Sequence, residues 1–196
     1  MPASEASRFS DRLQEAISKS SAIFERRQVP HALIGGLAVG LRARPRSTMD
    51  VDLIVSLPQL QLPTVLDDFV EAGFTPSTRE LISQWNGGMA VLWYDDVRID
   101  WLKPVLPLYQ HVIDRSEPLT IWEHPFRVAT TEGLILCKLV PDRPQDRADI
   151  QDLLSASDAN VDLAFIESEW LTIGSLDDPR IFELRRMIDS VRASLN

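Results

Sequence analysis

The stretch ALIGGLAVGLRARPRSTMDVDLIVS, Ala32 to Ser56, decides how the rest of this 196-residue chain is read. A short apolar run ends at Ile34, breaks at Gly35-Gly36, and continues as a helix-compatible segment through Leu41. A strand-like run, Met49 to Val55, follows with Asp50 and Asp52 two positions apart. Strand side chains alternate between faces, so Val51, Leu53 and Val55 can enter a core while Asp50 and Asp52 emerge together on the other side. Two like charges then stand roughly 7 Å apart or less, an arrangement that calls for a cation or a raised pKa. Without a Cβ at Gly35 and Gly36, the backbone can turn sharply from strand into helix and bring bare N–H groups to a ligand, for which a phosphate is well suited.

Working outward, a third acid falls in a similar setting. Met89 to Tyr94 and Val97 to Leu102 read as two strands of a hairpin joined by Asp95-Asp96. In the second, apolar residues alternate with Arg98 and Asp100, so Asp100 shares the face of Asp50 and Asp52 if the strands are neighbours. On the other side, residues 5 to 27 carry apolar positions at helical spacing, with acids early and Arg26-Arg27 last, and predict an amphipathic helix closed by Pro30. His31 to Ile34 is then the first strand. Val65 to Ala72 predicts a helix ending at Gly73, Asn86-Gly87-Gly88 a turn, and Ile121 to Ala129 one more strand or hairpin arm. Beyond it the pattern becomes helical: a helix opened by Thr130 or Thr131 and running to Val140, a second restarting at Pro144, and two more about Val161 to Leu171 and Pro179 to Ser194. The expectation is an α/β (α+β) fold with a small mixed sheet of four or five strands covered by helices on one face. Residues 1–130 would form the core and 131–196 a helical C-terminal subdomain.

Ile34-Gly35-Gly36, the run Arg46-Ser47-Thr48-Met49-Asp50-Val51-Asp52 and the later Ile99-Asp100-Trp101 together resemble the hGG, RxTxDxD and hDh signature of the DNA polymerase beta-type nucleotidyltransferases. The likeness is greatest to their minimal bacterial branch, the AbiEii-like group that includes the toxins of type IV toxin-antitoxin systems. It implies a nucleotidyltransferase-fold core and a metal-dependent enzyme that moves an NMP group from a nucleoside triphosphate to an acceptor hydroxyl. By that resemblance Asp50, Asp52 and Asp100 hold Mg²⁺ or Mn²⁺, Gly35 and Gly36 hold the β- and γ-phosphates, and Arg46 and Thr48 contact the triphosphate. Two ions about 3.5 to 4 Å apart can stabilise both the attacking and the leaving oxygen. Lys138 with Asp146, Asp149 and Asp152, in LCKLVPDRPQDRADIQDLL, is similar to the family's KxxxxxRxxxRDxxD-type segment. Lys138 is thereby a candidate phosphate ligand, and Asp149 its orienter or a base. On spacing alone the three aspartates also fit a solvated helix face with Arg143 and Arg147 as intrahelical partners. Arg98 is a further candidate on the Asp100 face.

Composition narrows the partners. A hydrophobic content of 44% and a charged content of 25% are those of an ordinary globular protein. No apolar run reaches membrane-spanning length and MPASEASRFSDRLQEA has no signal-like apolar core, so a cytoplasmic enzyme without a membrane is expected. The single cysteine, Cys137, lies in an apolar run and reads as a small core residue, and His31, His111 and His124 have no zinc-like spacing. A formal net charge of −9 disfavours non-specific binding to nucleic acid. A local basic rim of Arg42, Arg44, Arg46, Lys138, Arg143 and Arg147 would still admit an RNA 3′ end such as that of tRNA as acceptor. The alternatives are a small-molecule (antibiotic) or protein acceptor, or a non-catalytic module that binds a nucleotide, an RNA or a partner. The toxin-like resemblance adds a cognate antitoxin protein to the possible partners.

Overall fold

The computed structural model describes residues 5–45, Thr48, and residues 50–76, 78–121 and 124–195. The first helix, α1 (Glu5–Arg27), leads through Gln28, whose φ is +54°, into β1 (His31–Ile34), every residue of which is buried. The chain then passes into α2 (Gly35–Arg42) and returns as β2 (Asp50–Val55). Next come α3 (Leu62–Glu71), the two-residue β3 (Thr75–Pro76), α4 (Thr78–Asn86), and the hairpin β4 (Met89–Tyr94) and β5 (Val97–Leu102). After α5 (Pro107–Asp114) a second hairpin follows, β6 (Glu117–Ile121) and β7 (His124–Val128). The remainder is helical: α6 (Thr131–Leu139), α7 (Pro144–Ala156), α8 (Leu163–Trp170) and α9 (Pro179–Ser194).

The strands form one mixed sheet in the order β3-β4-β5-β2-β1-β7-β6. Pairing is antiparallel except for β2 with β5 and β1 with β7. Among the described residues the sheet thus has seven strands rather than four or five. Both edge strands contain proline, Pro76 in β3 and Pro118 in β6. A residue without an N–H is tolerated at an edge, where a donor need not meet a neighbour, but it blunts the sequence signal of a strand. The short helices α4 and α5 were likewise not expected. Pro107, in the first turn of α5, lies where its missing N–H costs nothing.

Burial explains why the sheet holds its register. Leu33, Leu53, Val128 and Trp101 share one face, where Trp101 meets Phe24 of α1 at 5.4 Å, Phe69 of α3 at 4.8 Å and Trp85 of α4 at 6.3 Å between ring centroids. A one-residue slip of β5 would turn Trp101 out and Asp100 into this aromatic cluster. The opposite face carries Asp52 and Asp100, and there Tyr109 of α5 and the start of α7 close over one end, so helices are not confined to one face. Thr130 caps α6 by accepting from the Gly133 N–H at 3.1 Å, and α6 packs against α2, α5, α7 and α8. Among the described residues, no helix is long and apolar enough to cross a membrane.

Candidate active site

Asp52 is the centre of the acidic face. In the parallel pairing of β2 with β5, Asp52 lies opposite Asp100 and Asp50 opposite Arg98, so the neighbour condition on which the shared face depended is met. Ile34, the last residue of β1, lies opposite Asp52 on the other flank. The chain must then turn over that carboxylate. Gly35 adopts a φ of +68°, and a Cβ there would lie 1.8 Å from Asp52 Oδ2, so any other residue would meet both backbone strain and the aspartate. Gly36 follows, buried, in the first turn of α2, whose N-cap Ile34 supplies no side-chain acceptor. The first-turn N–H groups of α2 thus receive no cap from the Ile34 side chain, and they open beside the carboxylates.

The charges are unevenly compensated. Burial first, then the neighbouring Asp50 and Asp100, push the Asp52 carboxyl up to about 6, against partial opposition from Lys138 and Arg98. Asp100 is buried and its Oδ1 accepts from Arg98 Nε at 2.7 Å. The Thr48 hydroxyl donates to Asp50 Oδ1, so Thr48 steadies an acid rather than standing free to meet a phosphate. Among the described residues no three His, Cys, Asp or Glu side chains are gathered into a ready-made metal cage. The donor set itself fits a hard dication: three carboxylates on adjoining strand positions, one of them, Asp52, driven towards its neutral form by burial and by the other two.

Lys138 reaches the same cleft from α6. Its ammonium is buried, 2.7 Å from Asp149 Oδ2 and 3.1 Å from Asp146 Oδ1. Asp146 is fully buried and also accepts from the Arg143 backbone N–H at 3.1 Å and from its Nε at 2.7 Å. Burial works against the Asp146 charge, but Arg143 and Lys138 outweigh it and hold the carboxyl below its ordinary range. Gln145 Nε2 donates to Asp149 Oδ1 at 3.1 Å. The solvated-face reading of this helix therefore fails for Asp146 and Asp149, which are buried, whereas Asp152 is half-buried. The cleft, about 270 Å³, is lined by Gly35, Asp52, Lys138, Arg143 and Asp146, with Tyr109 and Cys137 among its less polar walls. Burial pushes the Cys137 thiol up to about 12, which removes it as a nucleophile.

The structure thus brings together Gly35, Gly36, Asp50, Asp52, Asp100 and Lys138, with Asp149 behind Lys138. Arg46 lies outside the described residues. Most of the proposed basic rim is already engaged. Arg42 donates to the Ala129 carbonyl at 3.0 Å and to Glu117 at 2.8 Å, Arg143 pairs with Asp146, and Arg147 pairs with Asp142 at 2.7 Å. Arg44 is exposed. Two residues beside the site went unnoticed in the sequence, Tyr109 in the cleft and Trp93 beside Asp50. Neither belongs to a motif, and nothing short of the strand and helix packing would have pointed to them.

Among known proteins, no family model matches this chain and no curated protein matches it. Solved structures do. The solution structure of the antibiotic-resistance factor ANT(2'')-Ia is 17% identical, covering 93% of this chain and 91% of that one, with a TM-score of 0.51. JHP933 from Helicobacter pylori is 16% identical over 98% of this chain and 94% of that one, also at 0.51. An antigenic nucleotidyltransferase-like protein from Paracoccidioides brasiliensis is 17% identical over 95% and 88%, at 0.49. At these identities what is shared is the fold, and this chain has the mixed α/β fold of the nucleotidyltransferase-fold proteins.

Proposed function

We propose that the protein is a metal-dependent nucleotidyltransferase that moves an NMP group from a nucleoside triphosphate to an acceptor hydroxyl. The observation that carries this reading is the position of Asp52: paired with Asp100, next to Asp50, beneath the positive-φ turn at Gly35 and within the field of Lys138. Asp50, Asp52 and Asp100 would hold Mg²⁺ or Mn²⁺, which supplies Lewis-acid polarisation of the phosphate and activation of the hydroxyl. The N–H groups of the Gly35-Gly36 turn donate to phosphate oxygens, and Lys138, held on the same side by Asp149 and Asp146, stays a phosphate contact implied by resemblance. The acceptor oxygen forms a bond to the α-phosphorus, the bond from that phosphorus to the bridging oxygen breaks, and pyrophosphate leaves with the electron pair. The hydroxyl proton passes to the carboxylate cluster and on to water. Thr48 acts in this scheme by orienting Asp50, and Arg46 stays a triphosphate contact implied by resemblance.

An RNA 3′ end as acceptor, and with it a toxin role and a cognate antitoxin, rests on the same resemblance. RNA binding needs cations available to phosphate, and Arg42, Arg143 and Arg147 are each matched to a carboxylate. The test is incubation with each α-labelled NTP and Mg²⁺, alone and with total RNA, protein extract or small-molecule acceptors. Metal-dependent labelling that disappears in Asp52→Asn is expected. Labelling of nothing, with no Mg²⁺-dependent NTP binding, would overturn the reading.

A further inference from the structure

A second cavity, about 330 Å³, lies at the end of β1 away from Gly35 and shares no lining residue with the catalytic cleft. It opens where two helices finish. Phe24 and Glu25 come from the last turn of α1, Ile113 and Asp114 from the last turn of α5, His31 from the start of β1 and Arg127 from β7. His31 is 2% exposed, and its ring packs on Phe24 at 4.7 Å and Phe126 at 5.3 Å between centroids. Its Nδ1 lies 2.9 Å from the Val29 carbonyl, which can only accept, so Nδ1 carries the proton and Nε2 is a bare acceptor. Burial holds the imidazole below its ordinary range, so the ring stays neutral at pH 7. Among the described residues Nε2 is buried and meets no donor. Folds keep few such atoms, because water has been removed and nothing replaces it.

The surrounding field is negative. A helix C-terminus carries the negative end of its dipole, and α1 and α5 both end here beside Glu25 and Asp114. The two arginines that close α1 are drawn elsewhere, Arg26 to Asp68 at 3.1 Å and Arg27 to the same carboxylate at 2.5 Å. Arg127 is the one cation lining the cavity among the described residues, and its Nε donates to Ser116 Oγ at 2.8 Å and its Nη2 to the Ser116 carbonyl. We infer that this cavity is a second ligand site, for a primary ammonium ion on a short apolar body. The ammonium brings the N–H that His31 Nε2 lacks, and its charge answers Glu25, Asp114 and the two helix ends. Phe24, Val29 and Ile113 cover the alkyl part. A metal ion does not suit the cavity, since no three His, Cys, Asp or Glu side chains that could hold one are gathered among the described residues. A carboxylate or phosphate would bring no donor and would meet the same field unfavourably. The site is independent of nucleotidyl transfer and stands whether or not that reading holds.

The experiment uses the whole protein with ¹⁵N-labelled histidine at neutral pH and constant ionic strength. n-Butylammonium, tetramethylammonium, n-butanol and butyrate are titrated in turn, and the Nε2 resonance of His31, assigned with His31→Phe, is followed. n-Butylammonium is expected to move that resonance upfield and to saturate in the millimolar range. It should bind at least about threefold more tightly than tetramethylammonium, which has the charge without an N–H, and than n-butanol, which has a donor without the charge. Butyrate should leave the resonance unmoved. Glu25→Gln, at an exposed position, should weaken n-butylammonium by about threefold, and Glu25→Gln with Asp114→Asn by about tenfold. A resonance that none of the probes moves, as when a buried water alone satisfies Nε2, would overturn the proposal. So would equal affinity for n-butylammonium and n-butanol, or binding that the double charge variant leaves unchanged. Should His31→Phe fail to fold, His111→Gln and His124→Gln assign the resonance by elimination, and the charge variants decide the outcome.

Discussion

Replacing Asp52 by asparagine should make the metal-free protein more stable at neutral pH. The folded-state carboxyl is raised from 3.8 to about 6 by burial and by Asp50 and Asp100. A shift of roughly two units corresponds to about 3 kcal/mol of cost for keeping this group ionised in the fold. The sign follows from proton binding. Between the two values the folded chain holds a proton that the unfolded chain has released, so the wild type loses stability as pH rises from below 4 through 6. The full cost is present at pH 8, about half of it at pH 5, and little below pH 4. Asparagine mimics the neutral form and is free of this penalty at every pH. For a chain of this size, about 3 kcal/mol corresponds to a rise in Tm of about 6 to 12 °C. Urea denaturation of both proteins in chelator at pH 4, 5, 6 and 8 would read the difference directly. It should grow with pH, and Mg²⁺ with NTP should stabilise the wild type but not the variant. A variant less stable than wild type at pH 8, or a difference that does not depend on pH, would refute the electrostatic account of the site.

Lys138→Met should destabilise the fold by about 3 to 5 kcal/mol in urea titration, because it leaves the buried Asp149 without its 2.7 Å ammonium partner and Asp146 with Arg143 alone. A cost below about 1 kcal/mol would mean that the cluster is better hydrated than its burial implies. Gly35→Ala combines a positive φ with a Cβ placed 1.8 Å from Asp52 Oδ2. It should cost about 1 to 3 kcal/mol and abolish Mg²⁺-dependent NTP binding in calorimetry, whereas wild-type affinity in a folded variant would show that the turn does not hold phosphate.

Much of the core was legible before any coordinates. The break at Gly35-Gly36, the alternation through Asp50 and Asp52, and the hairpin around Asp95-Asp96 are local patterns, and a side chain two positions along a strand shares a face whatever the strand packs against. The helices α1, α2, α6, α7, α8 and α9 announced themselves by periodicity and caps, with Thr130 as the observed cap of α6. Edge strands β3 and β6, each with a proline, did not, because an edge strand owes its existence to the one neighbour it pairs with.

Which acids could share one face of a strand, and where the chain could turn without a Cβ, followed from local pattern alone. Tertiary structure alone decided that β2 and β5 are parallel neighbours with Asp52 opposite Asp100, that Asp146 and Asp149 are buried around Lys138, and that Trp93 stands in the row of Asp50. Asp152 has the same three-residue spacing as Asp146 and Asp149 yet stays half-buried. The physical reason is that period and propensity act over a few residues. The partner of a charge, and therefore its burial and its pKa, depends on how separate elements pack, as β2 brings Asp52 beside Asp100 of β5 and α6 brings Lys138 to Asp146 and Asp149 of α7.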